Sequence, residues 1–268
     1  MKRISYRLLA FVAVSGILIS CGVREDRELC PCWLDFLLHE CVGMADSLHV
    51  CGVRSTTLFS DHVDMQEYPA VYEKEVDRGL VRTCVYTGLD RSVCNGYDVT
   101  IPLGEQADRL FVHRNTVDCS GEAASDLVVL RKEWTTVNVR LEVNGEMSGN
   151  YFRSFRVVVH SSVNGTNMLD CSPTEGEFRY EPTVSSVGAF SFRLPRHEGA
   201  AETLFMDVYR EGEKVDEMNL GKTFSQNGFS WNTSDLSDID MKVDLLVGEV
   251  FITVRPWENL GHDHIVFQ

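Results

Sequence analysis

Apolar and polar side chains alternate with a period of two through most of the chain beyond residue 30, and this pattern predicts strands. It is clearest from Thr136 to Val143, where Val137, Val139, Leu141 and Val143 alternate with Asn138, Arg140 and Glu142. One apolar face and one polar face describe a half-buried strand, and Asn144-Gly145 is expected to end it in a hairpin-type turn. Phe155 to Val159 is expected to be another strand, with a turn at Asn164-Gly165. Phe190, Phe192 and Leu194 mark a third, and Leu204 to Tyr209 runs into a turn at Glu211-Gly212-Glu213. Val250, Ile252 and Val254 close the series, with Trp257 just beyond Pro256. The first half follows the same rule. Leu34, Phe36 and Leu38 alternate with Trp33, Asp35 and Leu37, and strands are expected over Leu80 to Thr87, Tyr97 to Leu103 and Leu110 to His113. After Cys21 no stretch of a dozen residues has a clean helical period. Short strands at regular spacing imply an all-β fold of sandwich type.

The N-terminus breaks the pattern. Lys2, Arg3 and Arg7 precede an apolar run from Leu8 to Ile19, interrupted only by Ser15 and Gly16. A basic start, a short apolar stretch and a small residue before a cleavage point describe a secretory signal, since a spanning helix needs roughly 20 apolar residues. Leu18-Ile19-Ser20-Cys21 looks like a bacterial lipobox, in which Cys21 is lipidated and becomes the first mature residue. Acyl chains contribute roughly 0.8 kcal/mol per buried CH₂, so several of them hold a body on a bilayer. Residues 1–20 are thus expected to be a lipoprotein signal peptide and 21–29 a lipidated tether.

The seam is expected at Ser120 to Asp126, a small, polar, apolar-poor stretch. It gives an N-terminal β-sandwich over 30–125 and a C-terminal one over 126–268, each long enough to bury a core. No convincing internal repeat accompanies this division.

Charge narrows the partners. The chain carries a formal net charge of -15, and removing the three positive charges of residues 1–20 leaves -18. Such a surface repels nucleic acid and anionic headgroups. The chain has nine cysteines, ordinary for an exported protein. With Cys21 lipidated, the remaining eight allow 105 pairings. Two pairs are geometrically attractive: Cys84-Cys94, symmetric about Leu89 where Gly88-Leu89-Asp90 could turn a hairpin, and Cys41-Cys51, symmetric about Asp46. Buried reduced thiols are the alternative.

Candidate chemistry is sparse. Cys30-Pro31-Cys32 has one residue between its thiols where redox and zinc motifs have two. His262 and His264 could share one face of an extended segment, but no third ligand is assignable, and no metal site is expected. Asp235, Asp238, Asp240 and Asp244 form an acidic stretch, expected to be a loop. An EF-hand starting at Asp235 would put Asp240 where a Gly belongs. There is no Gly-x-Ser-x-Gly and no phosphate loop after a strand. No cofactor and no enzymatic activity are expected.

The segment from Cys21 through Glu25, Asp26, Cys30, Pro31 and Cys32 to the strand beginning Trp33-Leu34-Asp35-Phe36 resembles the start of the FimB-type, fimbrillin-associated anchor lipoproteins of Bacteroidales fimbriae. In that family a lipid cysteine precedes an acidic spacer, a Cys-Pro step and an alternating strand. Val129-Leu130-Arg131 before the Val137 strand, and Leu236 to Asp240 followed by Gly248 to Val254 and Trp257, are similar to its second domain. The high cysteine count departs from the family. The resemblance implies two tandem Greek-key, transthyretin-like β-sandwiches. It implies an outer-membrane lipoprotein that anchors or terminates a fimbrium, with a fimbrillin shaft subunit and outer-membrane lipid as partners. An anchor keeps its N-terminus, so Leu34, Phe36 and Leu38 are expected to fill their own core. The fimbrillin contact is then expected within 248–268, where Ile265, Val266 and Phe267 could be donated as a strand or pack back. Glu25 and Asp26 resemble a surface-export signal. The alternative is a surface adhesin or glycan-binding fimbrial tip protein, with Trp33, Trp231 or Trp257 stacking on sugar.

Overall fold

The computed structural model describes residues 30–143, 151–246 and 248–257. The first half supplies β1 (Cys32–Leu37), β2 (Ser47–Val53), β3 (Thr57–Asp64), β4 (Val71–Val76), β5 (Leu80–Thr87), β6 (Val93–Asn95), β7 (Asp98–Thr100), β8 (Phe111–Asp118) and β9 (Ala123–Leu127). Then follow β10 (Arg131–Lys132), β11 (Trp134–Glu142), β12 (Phe155–Asn167), β13 (Pro173–Tyr180), β14 (Ala189–Pro195), β15 (Phe205–Arg210) and β16 (Glu213–Asn219). The helix α1 (Leu220–Gln226), β17 (Asp238–Asp244) and β18 (Glu249–Arg255) complete the described chain.

The fold is all-β and built of two sandwiches. The first packs the sheet β4-β1-β9 against β10-β8-β5-β2-β3. Its core takes alternate residues from both sheets: Leu34 and Phe36 of β1 meet Leu48, Val50, Phe59, Val81 and Val85. Phe36 and Phe59 touch edge to face with centroids 6.1 Å apart. The second packs β14-β11-β17-β18 against β16-β15-β12-β7-β6, with β13 also on β12. Val137, Val139 and Leu141 face inward with Phe192, Leu194, Ile239 and Met241. In both sandwiches the leading strand is central, with an antiparallel neighbour on one side and a parallel one on the other. These are β4 and β9 for β1, and β14 and β17 for β11. The second sandwich adds β18 beyond the parallel strand.

Several expectations change. Ala123 to Asp126, expected within a linker, lie in β9, and Trp33 to Phe36 pair with them in parallel. The polar composition misleads because Asp126 is buried and satisfied by Thr83, His113 and Asn115. Burial would push its carboxyl up, but those hydrogen bonds hold it below the usual carboxylate range. Nor do the halves separate cleanly, because the hairpin β6-β7 of the first half pairs with β12 of the second. Asn164-Gly165 is no turn but an irregular stretch within β12. There a Cβ on Gly165 would lie 1.8 Å from the Val99 carbonyl oxygen, so glycine serves close approach of β7. Glu211-Gly212 does turn: both φ values are positive, 54° and 93°, as a two-residue hairpin loop requires. Asp238 to Asp244, expected as part of a loop, form β17.

Candidate functional site

Two strands define the ends of the described fold, and they sit in opposite environments. β1 begins eleven residues after Cys21 and lies between two partners. Leu34, Phe36 and Leu38 are 0% exposed, as expected of a strand that fills its own core. Its outward row is Trp33, Asp35 and Leu37, with Trp33 51% exposed beside Glu75 of β4.

β18 is different. Among the described residues it pairs with β17 alone, so one row of its backbone groups faces away from any strand. Its inward residues Val250, Ile252 and Val254 are only half-buried, and Phe251 on the outer face is 60% exposed. Phe251 and Thr253 border a shallow hollow across β14, β11, β17 and β18, with Asn138, Arg140, Asp240 and Lys242 along its floor. Arg255 Nε pairs with Asp240 Oδ2 at 2.8 Å, and Asn138 Nδ2 donates to Asp240 Oδ1 at 2.9 Å. An open edge beside an apolar and polar face is the geometry on which an extended segment of another chain adds as a strand.

The far end of β18 is pinned at the junction of the sandwiches. Trp257 packs against Phe111 of β8 and Trp134 of β11, both at 6.3 Å between centroids. The buried Lys132 places Nζ 4.8 Å from the Trp257 ring, 2.7 Å from Asp238 Oδ1 and 3.1 Å from the Leu236 carbonyl. Burial lowers its proton affinity, against the pull of Asp238. Close by, Glu133 is buried between Arg114 at 2.8 Å and Arg196 at 2.7 Å. Arg114 also donates to the Met168 carbonyl, so this network ties β8 to the second sandwich.

The acidic stretch is spent on these contacts. Asp235 accepts from Lys132 N and Arg131, and Asp238 from Lys132 and Thr136 N. No group of three or more His, Cys, Asp or Glu side chains suited to a metal ion occurs among the described residues. Of the tryptophans, Trp231 is buried and Trp257 half-buried, leaving Trp33 as the exposed ring.

The structure rearranges the thiol geometry. Cys84 and Cys94 do not face each other across a hairpin. Cys94 lies on β6 opposite Val99, and Cys84 on β5 opposite Cys51 of β2 and Arg114 of β8. The loop between them is held by Asp108, whose carboxylate accepts the N–H groups of Asp90, Arg91 and Ser92. Cys41 sits in a 3₁₀ turn and donates to the Val128 carbonyl, while Cys51 belongs to a separate cluster with Cys84 and Met168. The register that sets Cys51 against Cys84 comes from which strands become neighbours, and no spacing in the sequence carries it. Cys21, Ile265, Val266, Phe267, His262, His264 and Asn144-Gly145 lie outside the described residues.

This is the architecture of an all-β protein with two sandwiches, one closed at its leading strand and one open at its last. Solved structures of Bacteroidales proteins share its overall fold. A candidate adhesin of Bacteroides ovatus matches with a TM-score of 0.58 at 14% identity, over 87% of this chain and 97% of that one. The fimbrial anchor protein Mfa2 of Porphyromonas gingivalis matches with a TM-score of 0.58 at 12% identity, over 85% and 98%. A candidate polysaccharide-binding protein of Bacteroides thetaiotaomicron gives a TM-score of 0.58 at 11% identity, over 80% and 92%. No family model matches the sequence, and neither does any curated protein.

Proposed function

We propose that this chain is a cell-surface outer-membrane lipoprotein that anchors or terminates a fimbrium, acting by binding rather than by catalysis. The observation that carries the reading is that the first sandwich already holds its leading strand between two partners. Its leading strand is central and its inward face is wholly buried, so a lipid on Cys21 can hold this body to the bilayer without leaving a groove in it. The membrane-proximal unit is the first sandwich, and the second meets the fimbrillin shaft subunit. That contact uses the open edge of β18 together with the following segment, including Ile265, Val266 and Phe267. The likeness in fold to a fimbrial anchor protein supports the assignment.

The test is made on the full chain in its own cell. Cys21→Ala is expected to release the protein from the membrane fraction and to release fimbriae with it, and firm retention in the membrane overturns the lipid anchor. Deleting 260–268 is expected to abolish co-purification with fimbrillin, and normal anchored fimbriae overturn the assignment of that segment. The exposed Trp33, beside Asp35 and Glu75, favours a second reading as a glycan-binding tip protein. Glycan-array binding lost in Trp33→Ala, without co-purification of fimbrillin, selects it.

A further inference from the structure

Cys32 is the first residue of β1, and Cys119 is the first residue after β8. They belong to facing sheets, yet the chain brings them together. Paired backbone bonds between Gly79 and Cys119, at 2.9 and 3.3 Å, extend the β5-β8 ladder by one residue. Trp33 N donates to the Glu122 carbonyl at 3.0 Å, which lays the start of β1 beside the segment just beyond Cys119. Arg78 clamps the two stretches, with Nε 2.7 Å from the Cys30 carbonyl and Nη1 3.5 Å from that of Ser120. Both thiols are wholly buried in one core cluster, and Cys32 lies near enough to Cys119 to raise its proton affinity beyond what burial does. Cys32 Sγ donates only to the carbonyl of its neighbour Trp33, at 3.6 Å, whereas Cys41 turns to Val128, Cys51 to Ser60 and Cys84 to Met168, each 9 or more residues away in sequence.

We propose that Cys32 and Cys119 form a disulfide in the exported protein, and that this bridge carries the load entering through the N-terminal tether. The inference rests on the anchor reading above. Tension between a lipid on Cys21 and a shaft held at β18 reaches the fold first at Cys32. Without a bridge, the hydrogen bonds of β1 to β4 and β9 and the burial of Leu34 and Phe36 alone oppose its being peeled away. With the bridge, the covalent path runs from the tether through Cys32 and Cys119 directly into β9 and the second sandwich. Residues 33–118 then lie outside that path, and strands β1 to β8 are spared the load.

The chemistry needs a disulfide oxidant of the exported compartment. A thiolate of the nascent chain attacks one oxidant sulfur and releases the other as a thiolate. The second cysteine's thiolate attacks the resulting mixed disulfide, the Cys32–Cys119 bond forms, and the oxidant leaves as a dithiol carrying the two electrons and two protons. Burial, together with Cys32, pushes the Cys119 thiol up to about 12, so it is a poor nucleophile once folded. Both sulfurs are wholly buried, so the bond forms before the sheets close over them and is shielded from reductant afterwards.

The experiment takes the full chain from the envelope fraction, alkylates it at once and maps it by mass spectrometry without reduction. A linked peptide pair containing Cys32 and Cys119, lost on reduction, is expected. Both cysteines alkylated, or Cys119 joined to Cys30, in envelope-bound protein overturns the bridge and leaves the anchor reading standing. Recovery in the cytoplasm with residues 1–20 attached overturns both. Load bearing is tested by pulling the purified protein from its two ends. Reductant is expected to lengthen the fully extended chain by roughly 300 Å, the reach of residues 33–118, and an unchanged length overturns the load path. In cells, the Cys32→Ala, Cys119→Ala double variant is expected to shed fimbriae several-fold more under shear while anchoring them normally at rest. Equal shedding also overturns the load path.

Discussion

The sheets β4-β1-β9 and β14-β11-β17 have the same plan, a central leading strand between an antiparallel and a parallel neighbour. They differ at the rim. The first stops at its parallel strand, and the inward face of its leading strand is completely buried. The second carries the extra β18, whose inward side is half-exposed and whose outer edge has no strand among the described residues. A leading strand that already has both neighbours suits attachment, because nothing must be added to hold it in place. A sheet that ends in an exposed strand suits capture, because another chain can continue it. Under the proposed anchor role, one topology serves two ends of a tether.

The comparison can be broken by substitutions of graded cost. Phe36→Ala in β1 is expected to cost about 3–5 kcal/mol in chemical denaturation, the penalty for emptying a fully buried aromatic site. A loss near 1 kcal/mol would mean that β1 is not an integral strand. Acid is expected to act next, and on the second sandwich first. Its His197 is wholly buried, with Nδ1 donating to the Pro195 carbonyl at 2.8 Å and Nε2 accepting from the Ser161 hydroxyl at 3.1 Å. Burial lowers its pKa from 6.5 to about 4. The unfolded chain therefore binds the extra proton first, and stability is lost as pH falls from 6.5 to 4, at about 1.4 kcal/mol per pH unit. In the first sandwich Asp126, held below its ordinary 3.8, keeps its contribution until pH falls below that value. Hydrogen exchange at pH 5 is expected to open β12 and β14 before β1 and β5, and the reverse order would contradict the assignment. In β18, Ile252→Ala is expected to cost about 1 kcal/mol, because its side chain is already partly wet; a cost of 3 would make β18 a core strand. Smallest is Phe251→Ser, expected within 0.5 kcal/mol in stability but weakening co-purification with fimbrillin. A variant that captures fimbrillin normally excludes this face from the contact.

Strands with one strictly apolar face were legible in advance. Leu34, Phe36 and Leu38, and Val137, Val139 and Leu141, are buried as their period demands. Misreadings fell where polar or glycine residues play tertiary roles. Asp126 and Asp238 look like loop residues until His113, Asn115 and Lys132 arrive to pair with them. Gly165 looks like a turn until β7 is seen against it. The repeat of topology between the halves has no sequence signal, because a sheet constrains side-chain alternation and not identity.

The chain's own order of residues determined that it would be all strand, which faces would be apolar, and that its leading strand would fill a core. Those properties are local, since alternation on a pleated backbone decides them within a few residues. Folding in three dimensions decided which strands are neighbours, and so which cysteines meet, which carboxylates are buried and which edge is left open. Strand pairing joins residues far apart along the chain, and backbone hydrogen bonds, which form it, are the same for every side chain. Only the packed whole selects one pairing from the many that a period of two permits.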